Sequence, residues 1–303
     1  MQAKFLIALF MVAVLLGSVM FVSIASADPP PGKGKGHGGG AEVPVACDSC
    51  ADCTAKLAGR DKIVNLTVDL IDVQIPDGQT ACIEFSKSGK TFNGTNHIID
   101  GTGTGYAINL NGYDRITVEN VEIKEFDIGI YGDGSDRVTI QDNNLHHNIG
   151  AIVWLNGNNF LVENNIIVDN GIGILPDTST RTLIKDNWIE SSDNDAIQAF
   201  RLTSSTVTGN ILASNNHIGI TLDSSSFDNL IFHNNLLYNV IQAHDDGANF
   251  WDNGLPDGGN YWSNYDQVEE GCIDENQDGI CDAPYSNNGV TDNYPFVNQD
   301  GWM

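Results

Sequence analysis

The sequence predicts an all-β chain wound as a parallel β-helix, on three observations. A short motif recurs between Asn96 and Asn253, apolar and polar residues alternate inside each copy, and Gly, Asn, Asp or Ser stands at the interruptions. The copies start at Val118 (VENVEI), Ile140 (IQDNNL), Val162 (VENNII), Ile184 (IKDNWI), Val207 (VTGNIL) and Phe232 (FHNNLL), so successive starts differ by 22, 22, 22, 23 and 25 residues. That period is too short for a domain and suits one coil of a solenoid. Alternation with period two and β-branched enrichment call for short strands, not helices. A leucine-rich repeat would need a regular leucine framework, which is missing, and a propeller blade would need roughly twice this period or a little less.

The columns of the repeat assign roles. Three residues after each start stand Asn143, Asn165, Asn187, Asn210 and Asn235, with Val121 in the first copy. Stacked coils would set these amides above one another, each donating to and accepting from its neighbours, so the ladder is expected to be structural. Five residues after each start stand Ile123, Leu145, Ile167, Ile189, Leu212 and Leu237, the expected core. Gly129, Gly150, Gly173 and Gly219 recur at the later turn, where left-handed backbone or close contact between coils is needed. With strands about 4.8 Å apart, roughly seven or eight coils make a rod on the order of 35 Å long.

The flanking elements follow from composition. Residues 1–27 carry Lys4, an apolar run from Phe5 to Ile24 and the exit Ala25-Ser26-Ala27, the layout of a secretory signal. Residues 28–46 open on Asp28, three consecutive prolines and a Gly-Lys tract that cannot bury apolar area, and read as a flexible linker. Residues 47–94 are assigned to an N-terminal cap and first irregular coils, 95–255 to the regular coils and 256–303 to a C-terminal cap, because the ends of a repeat array expose strand edges. Six cysteines in an exported chain point to disulfides. Cys272 and Cys281 flank a short loop and should pair. Cys47, Cys50, Cys53 and Cys82 leave three connectivities, among which Cys53 with Cys82 is preferred.

Charge narrows the partners. Asp and Glu number 40 against 14 Lys and Arg, a formal net charge of -26. Nucleic-acid binding and docking on an anionic membrane both need clustered positive charge, so neither is expected. No second apolar span follows the signal, so the expected location after cleavage is secreted or cell-surface, without stable membrane insertion.

The C-terminal segment contains Asp274-Glu-Asn276-Gln-Asp278-Gly279-Ile280-Cys281-Asp282, in which oxygen-bearing side chains alternate and Gly follows the third. This is the spacing of a calcium loop: Asp274, Asn276 and Asp278 would supply side-chain oxygens, Ile280 its carbonyl and Asp282 a direct or water-mediated ligand. Tyr285 stands where an EF-hand has its bidentate Glu, and Glu269, Glu270 or Asp292 is a candidate to complete the shell. The expected role of Ca2+ is structural, fixing a segment with little core of its own.

Gly259-Asn260-Tyr261-Trp262-Ser263-Asn264-Tyr265, Asp278-Gly279-Ile280, Asp282-Ala283-Pro284-Tyr285 and Asp292-Asn293-Tyr294-Pro295 resemble the closing segment of secreted NosD-like β-helix proteins, common in archaea, and the coils resemble that family's repeats. The resemblance implies a right-handed parallel β-helix of the class shared by carbohydrate-binding proteins and sugar hydrolases. It also carries a copper-binding label, for which 7 His, 4 Met and no dense His/Met cluster give little support.

For catalysis the best acidic cluster is Ser191-Ser192-Asp193-Asn194-Asp195. Asp195, His217 and His244 lie 10 to 12 residues after their coil starts and are expected to neighbour one another on successive coils. A carboxylate beside an imidazole could act as general acid and base on a glycosidic bond, which makes Asp193, Asp195 and His217 the candidate catalytic residues. The Gly-His-Gly and Arg-x-Lys signatures of polygalacturonases and the Asp-Pro-His of uronate epimerases are missing. Trp154, Trp188 and Phe200 offer faces for stacking sugar rings, with packing of Trp188 against Tyr261, Trp262 or Tyr265 the preferred alternative. The expected function is therefore an exported, calcium-stabilised module that binds carbohydrate or another cell-surface component. A polysaccharide hydrolase or lyase is the alternative, and by resemblance alone an accessory factor in metalloenzyme maturation is a third.

Overall fold

The dipeptide at the centre of each motif explains the coil. Asp142, Asn164, Asp186 and Gly209 all have left-handed backbone, with φ of 56°, 55°, 55° and 68°. Asx residues and glycine adopt this conformation at low cost, so it turns the chain sharply between two short strands. The next residue, Asn143, Asn165, Asn187 or Asn210, then points inward and is buried. The computed structural model describes residues 42–303, so the signal at 1–27 and most of the 28–46 linker lie outside the described residues.

Repetition of this unit gives a right-handed parallel β-helix of about 9 turns with about 23 residues per coil. Each regular coil contributes three strands, as in Leu161–Glu163, Ile166–Val168 and Ile172–Thr180, and each strand pairs in parallel with its counterpart one coil away. Inward positions are apolar and fully buried, among them Ile123, Leu145, Ile167, Ile189 and Leu212. Trp154 belongs to this core: it is 1% exposed and lies parallel to Phe160 at 4.5 Å, so it offers no face to a ligand.

The Asn ladder runs Val121 N–H to Asn143 Oδ1, then Asn143, Asn165, Asn187, Asn210, Asn234 and Asn260, each backbone amide donating to the next side-chain oxygen at 3.0–3.2 Å. The expected rung Asn235 is corrected to Asn234. Ile231, and not Phe232, pairs with Val207, so the last copy starts one residue earlier and Leu236, not Leu237, fills the core column. Counting from the aromatic residue misled because two asparagines are adjacent there, and His233 occupies the left-handed turn position, φ 57°, that Asx or Gly marks elsewhere. A second ladder, unforeseen, links Phe126, Asn148 and Asn170, and Ser192, Asn215 and Asn239, at the next turn.

The glycine column also shifts. Cβ atoms on Gly129, Gly173 and Gly219 would stand 2.4–2.7 Å from carbonyl oxygens of the following coil, so these positions require close approach. Gly150 pairs with Ile128 and leaves that column to Ala151.

At the N-terminal end the strand Val45–Cys47 already pairs with Ile63–Leu66, and an eight-residue helix, Cys50–Leu57, covers the open core. Ser49 caps the helix, and the spacing of Cys50, Cys53 and Leu57 puts all three on its buried face. This helix, absent from the sequence-based expectation, decides the disulfides. Cys53 bonds Cys47 and Cys50 bonds Cys82, which overturns the expected Cys53–Cys82 bridge: one turn of helix sets Cys50 above the strand carrying Cys82 and Cys53 beside the strand carrying Cys47. Cys272 and Cys281 are bonded to each other. The C-terminal segment covers the other end through Trp262, which stacks on Tyr285 at 4.0 Å, and through Asp292, which accepts the amide of the last rung, Asn260.

Candidate functional site

Outward positions of the strands carry the chemistry. On the sheet formed by the middle strand of each coil, one column reads Glu122, Asn144, Ile166, Trp188, Ile211, Asn235 and Tyr261. Ile166 is 53% and Trp188 45% exposed, so the expected packing of Trp188 on the cap does not occur. Ile211 and Asn235 separate it in register from Tyr261. Its indole N–H donates to Glu190 at 2.9 Å, which fixes the ring on the surface. Below it opens a groove of about 500 Å³ lined by Asn96, Asn120, Glu122, Asp142, Asn144, Asn164 and Ile166. The lining asparagines come largely from the left-handed turn positions. A residue preceding an inward rung must itself point out, so the motif that builds the ladder also arrays amides along the rim. The Asn/Asp-Asn dipeptides are the sequence signal for this groove, because the first residue of each faces outward while the second joins the ladder.

The candidate catalytic residues are brought together in part. Asp195 is 1% exposed; its Oδ1 lies 2.6 Å from His217 Nδ1 and accepts the Ile218 amide at 3.2 Å, and its Oδ2 accepts from Thr221 Oγ1 at 2.7 Å. The carboxylate therefore fixes His217 through Nδ1 and leaves Nε2 at an exposed edge. Asp193 does not join them. It is exposed and borders a separate depression with His147, Asp169 and Asn194. His244 faces Thr221 one coil away and contacts Asp246 at 3.0 Å. Phe200 is half-buried beside the Asp177–Arg201 ion pair.

In the loop 274–282, Asp274 accepts the amides of Asp278 and Gly279, Asn276 accepts Asp278 N–H at 2.9 Å, and Asp278 accepts Ile280 N–H at 3.0 Å. Asp282 turns toward the Glu275 amide. Of the remote carboxylates, Glu270 accepts from Asp266 and Gln267 amides and Asp292 is buried against Asn260 and Trp262, so neither reaches this loop. Among the described residues, no three of His, Cys, Asp and Glu are grouped so as to hold a metal ion.

Residues 67–267 match the family model described as periplasmic copper-binding protein (NosD). No curated protein sequence matches the chain. Among solved structures, a variant of the periplasmic alginate epimerase AlgG is 13% identical over 60% of this chain and 58% of its own, with a TM-score of 0.44. An alginate lyase from Paenibacillus sp. is 11% identical over 68% of this chain and 94% of its own, at 0.40. The A-module of a mannuronan C-5 epimerase from Azotobacter vinelandii is 12% identical over 58% and 59%, at 0.30. The chain thus spans 58% of the length of that AlgG epimerase. As to copper donors, all six cysteines are in disulfides, and Met303 is the one methionine among the described residues. A soft sulfur site is therefore not formed among the described residues, which leaves nitrogen and oxygen donors.

Proposed function

We propose that this chain, which belongs to the NosD family, works outside the cytoplasm as a carbohydrate-binding rod, with the glycan lying along the middle-strand sheet from the Asn-lined groove to Trp188. The observation that carries the reading is the exposed Ile166–Trp188 pair continuing a groove whose other walls are amides and carboxylates. Sugar rings present an apolar face and a hydroxyl edge, and such a surface meets both: the indole stacks the ring while Asn120, Asn144, Asn164 and Asp142 exchange hydrogen bonds with hydroxyls. The net charge of -26 favours a neutral glycan over a polyanion. The disulfides and the periplasmic family agree with an extracytoplasmic setting, and no described helix is long and apolar enough to cross a membrane. On an array of neutral and uronic-acid oligosaccharides, binding is expected for neutral chains, with Trp188→Ala lowering affinity at least tenfold while the melting temperature stays unchanged. Equal affinity of wild type and variant would reject this surface.

The Asp195–His217 contact favours a second reading, a polysaccharide hydrolase or lyase in which Asp195 orients His217 as the proton carrier. The same incubations separate the two: released reducing or unsaturated ends that vanish in Asp195→Asn indicate catalysis, and intact glycan indicates binding alone.

In this reading Ca2+ occupies the loop of Asp274, Asn276, Asp278, Ile280 and Asp282 as a structural ion. The D-x-N-x-D-G spacing supports it, as does the meeting of Asp274 and Asn276 oxygens on one amide. Calcium at a hundredfold excess over its dissociation constant should stabilise the chain by about 2.7 kcal/mol. A melting temperature unmoved by chelator would count against the ion.

A further inference from the structure

Two columns build the groove and its continuation, and both stop at the same coil. The turn positions run Asn120, Asp142, Asn164, Asp186, Gly209 and His233, all in left-handed backbone, and the floor runs Glu122, Asn144, Ile166, Trp188, Ile211 and Asn235. Ile166 and Trp188 are 53% and 45% exposed, but Asn235 is 2% exposed. Residues 298–303 cover it. Asp300 Oδ1 accepts from Asn235 Nδ2 at 2.7 Å, and Asn235 Oδ1 accepts the Asp300 amide at 3.2 Å. On the turn column the Trp302 indole lies nearly parallel to the His233 ring, at 5° and 5.0 Å, and meets Phe296 edge-on at 5.6 Å. The segment is thus pinned across both columns, one coil beyond Ile211 and two beyond Trp188. With strands about 4.8 Å apart, the open floor from Glu122 to Ile211 is about 19 Å long.

We infer that Asp300 and Trp302 close this track, so that the glycan is held by a chain end, with the ring stacked on Trp188 at that end or next to it. This deepens the glycan reading of the Trp188 surface and rests on it. Chain ends differ chemically from chain interiors. A terminal ring carries a free hydroxyl where an interior ring carries a glycosidic oxygen, which has no proton to give. A carboxylate accepts from the first and gains nothing from the second. Asp300 Oδ1 is engaged by Asn235, whereas its Oδ2 has no hydrogen-bond partner among the described residues. A site built to bond a hydroxyl rejects the analogue lacking it far more strongly than an apolar surface does. Stacking on Trp188 supplies affinity without telling ends from interiors, so Asp300 is the residue that makes the distinction.

The test titrates the whole chain with β-glucan, mannan and galactan, each as a short oligosaccharide and as a polymer about tenfold longer, and measures protein bound per gram of glycan by calorimetry. For a glycan that binds, the polymer should take about tenfold less protein per gram, in proportion to its chain ends. Asp300 has left-handed backbone, φ 54°, which Asn and Gly both suit. Asp300→Asn keeps an oxygen for Asn235 and turns the other into a donor, so it should lower affinity for the oligosaccharide at least tenfold with an unchanged melting temperature. Asp300→Gly/Trp302→Ala, normal by circular dichroism, should release the segment and raise the protein bound per gram of polymer at least fivefold. Equal amounts per gram on oligosaccharide and polymer, with binding still lost in Trp188→Ala, would overturn the stop and leave the glycan surface standing. Binding to none of the three glycans, or binding indifferent to Trp188→Ala, would reject the surface itself and the stop with it.

Discussion

Asn187→Asp is expected to destabilise the rod by about 3–5 kcal/mol at neutral pH, although it exchanges only one atom of the side chain. Asn187 is 1% exposed, and its Nδ2 donates to Val162 O, Lys185 O and Asn210 Oδ1, all at 2.9 Å. Its Oδ1 accepts both the amide and the Nδ2 of Asn165. In the aspartate an oxygen would face three oxygens, and a charge would sit unpaired in the interior. Protonation restores one donor, so the defect should shrink toward pH 4. Denaturation followed by circular dichroism checks this. Asn216→Asp, exposed and outside the ladders, should stay within about 0.5 kcal/mol of the wild type. A small effect at Asn187 would mean that the ladder is not what holds the coils in register.

The second large effect is pH-dependent and lies at the end of the same ladder. Asp292 accepts the Asn260 amide, the Trp262 indole N–H and the Tyr294 amide, yet burial outweighs these bonds and the nearby Asp252 adds repulsion, so its carboxyl is pushed up to about 7 from 3.8. The native chain then keeps a proton that the unfolded chain releases. Stability is greatest below about pH 4 with respect to this group, falls as pH rises through the window from about 4 to 7, and is constant above it, with a full swing of roughly 4 kcal/mol. Asp52 and Asp69 act in the opposite sense. Hydrogen bonds from Lys56 and His97 hold their carboxyls below the usual value, so their contribution is present at neutral pH and lost on acidification. Comparison with Asp292→Asn isolates the cap: the difference between wild type and variant should change between pH 5 and pH 8, with the wild type gaining at pH 5. Fluorescence of Trp262, bonded to the carboxyl, reports the same transition locally. A difference that is flat with pH would place the proton elsewhere.

Both predictions concern the devices that close each coil on the next, and these decide how much surface the rod offers. The groove and Trp188 lie on consecutive coils held in register by Asn143, Asn165 and Asn187. If the rod binds glycan as proposed, a weakened ladder should therefore weaken that binding without any change to a contacting residue.

The sequence by itself determined the solenoid, its period, the inward Asn column as far as Asn210 and the acidic character of the surface, because each of these repeats and every copy reports on the others. It went wrong where repetition fails. The last copy has two adjacent asparagines and a histidine in the turn, so its register slipped by one residue. The N-terminal helix occurs once, and without it the cysteine pairing could not be seen. Tertiary structure alone decided which outward residues meet. Neighbours on the surface come from coils some 22 residues apart, so the Asn-lined groove and the Asp195–His217 contact exist only once the coils are stacked. A periodic pattern fixes which side of a strand a residue takes, and stacking fixes whom it faces there.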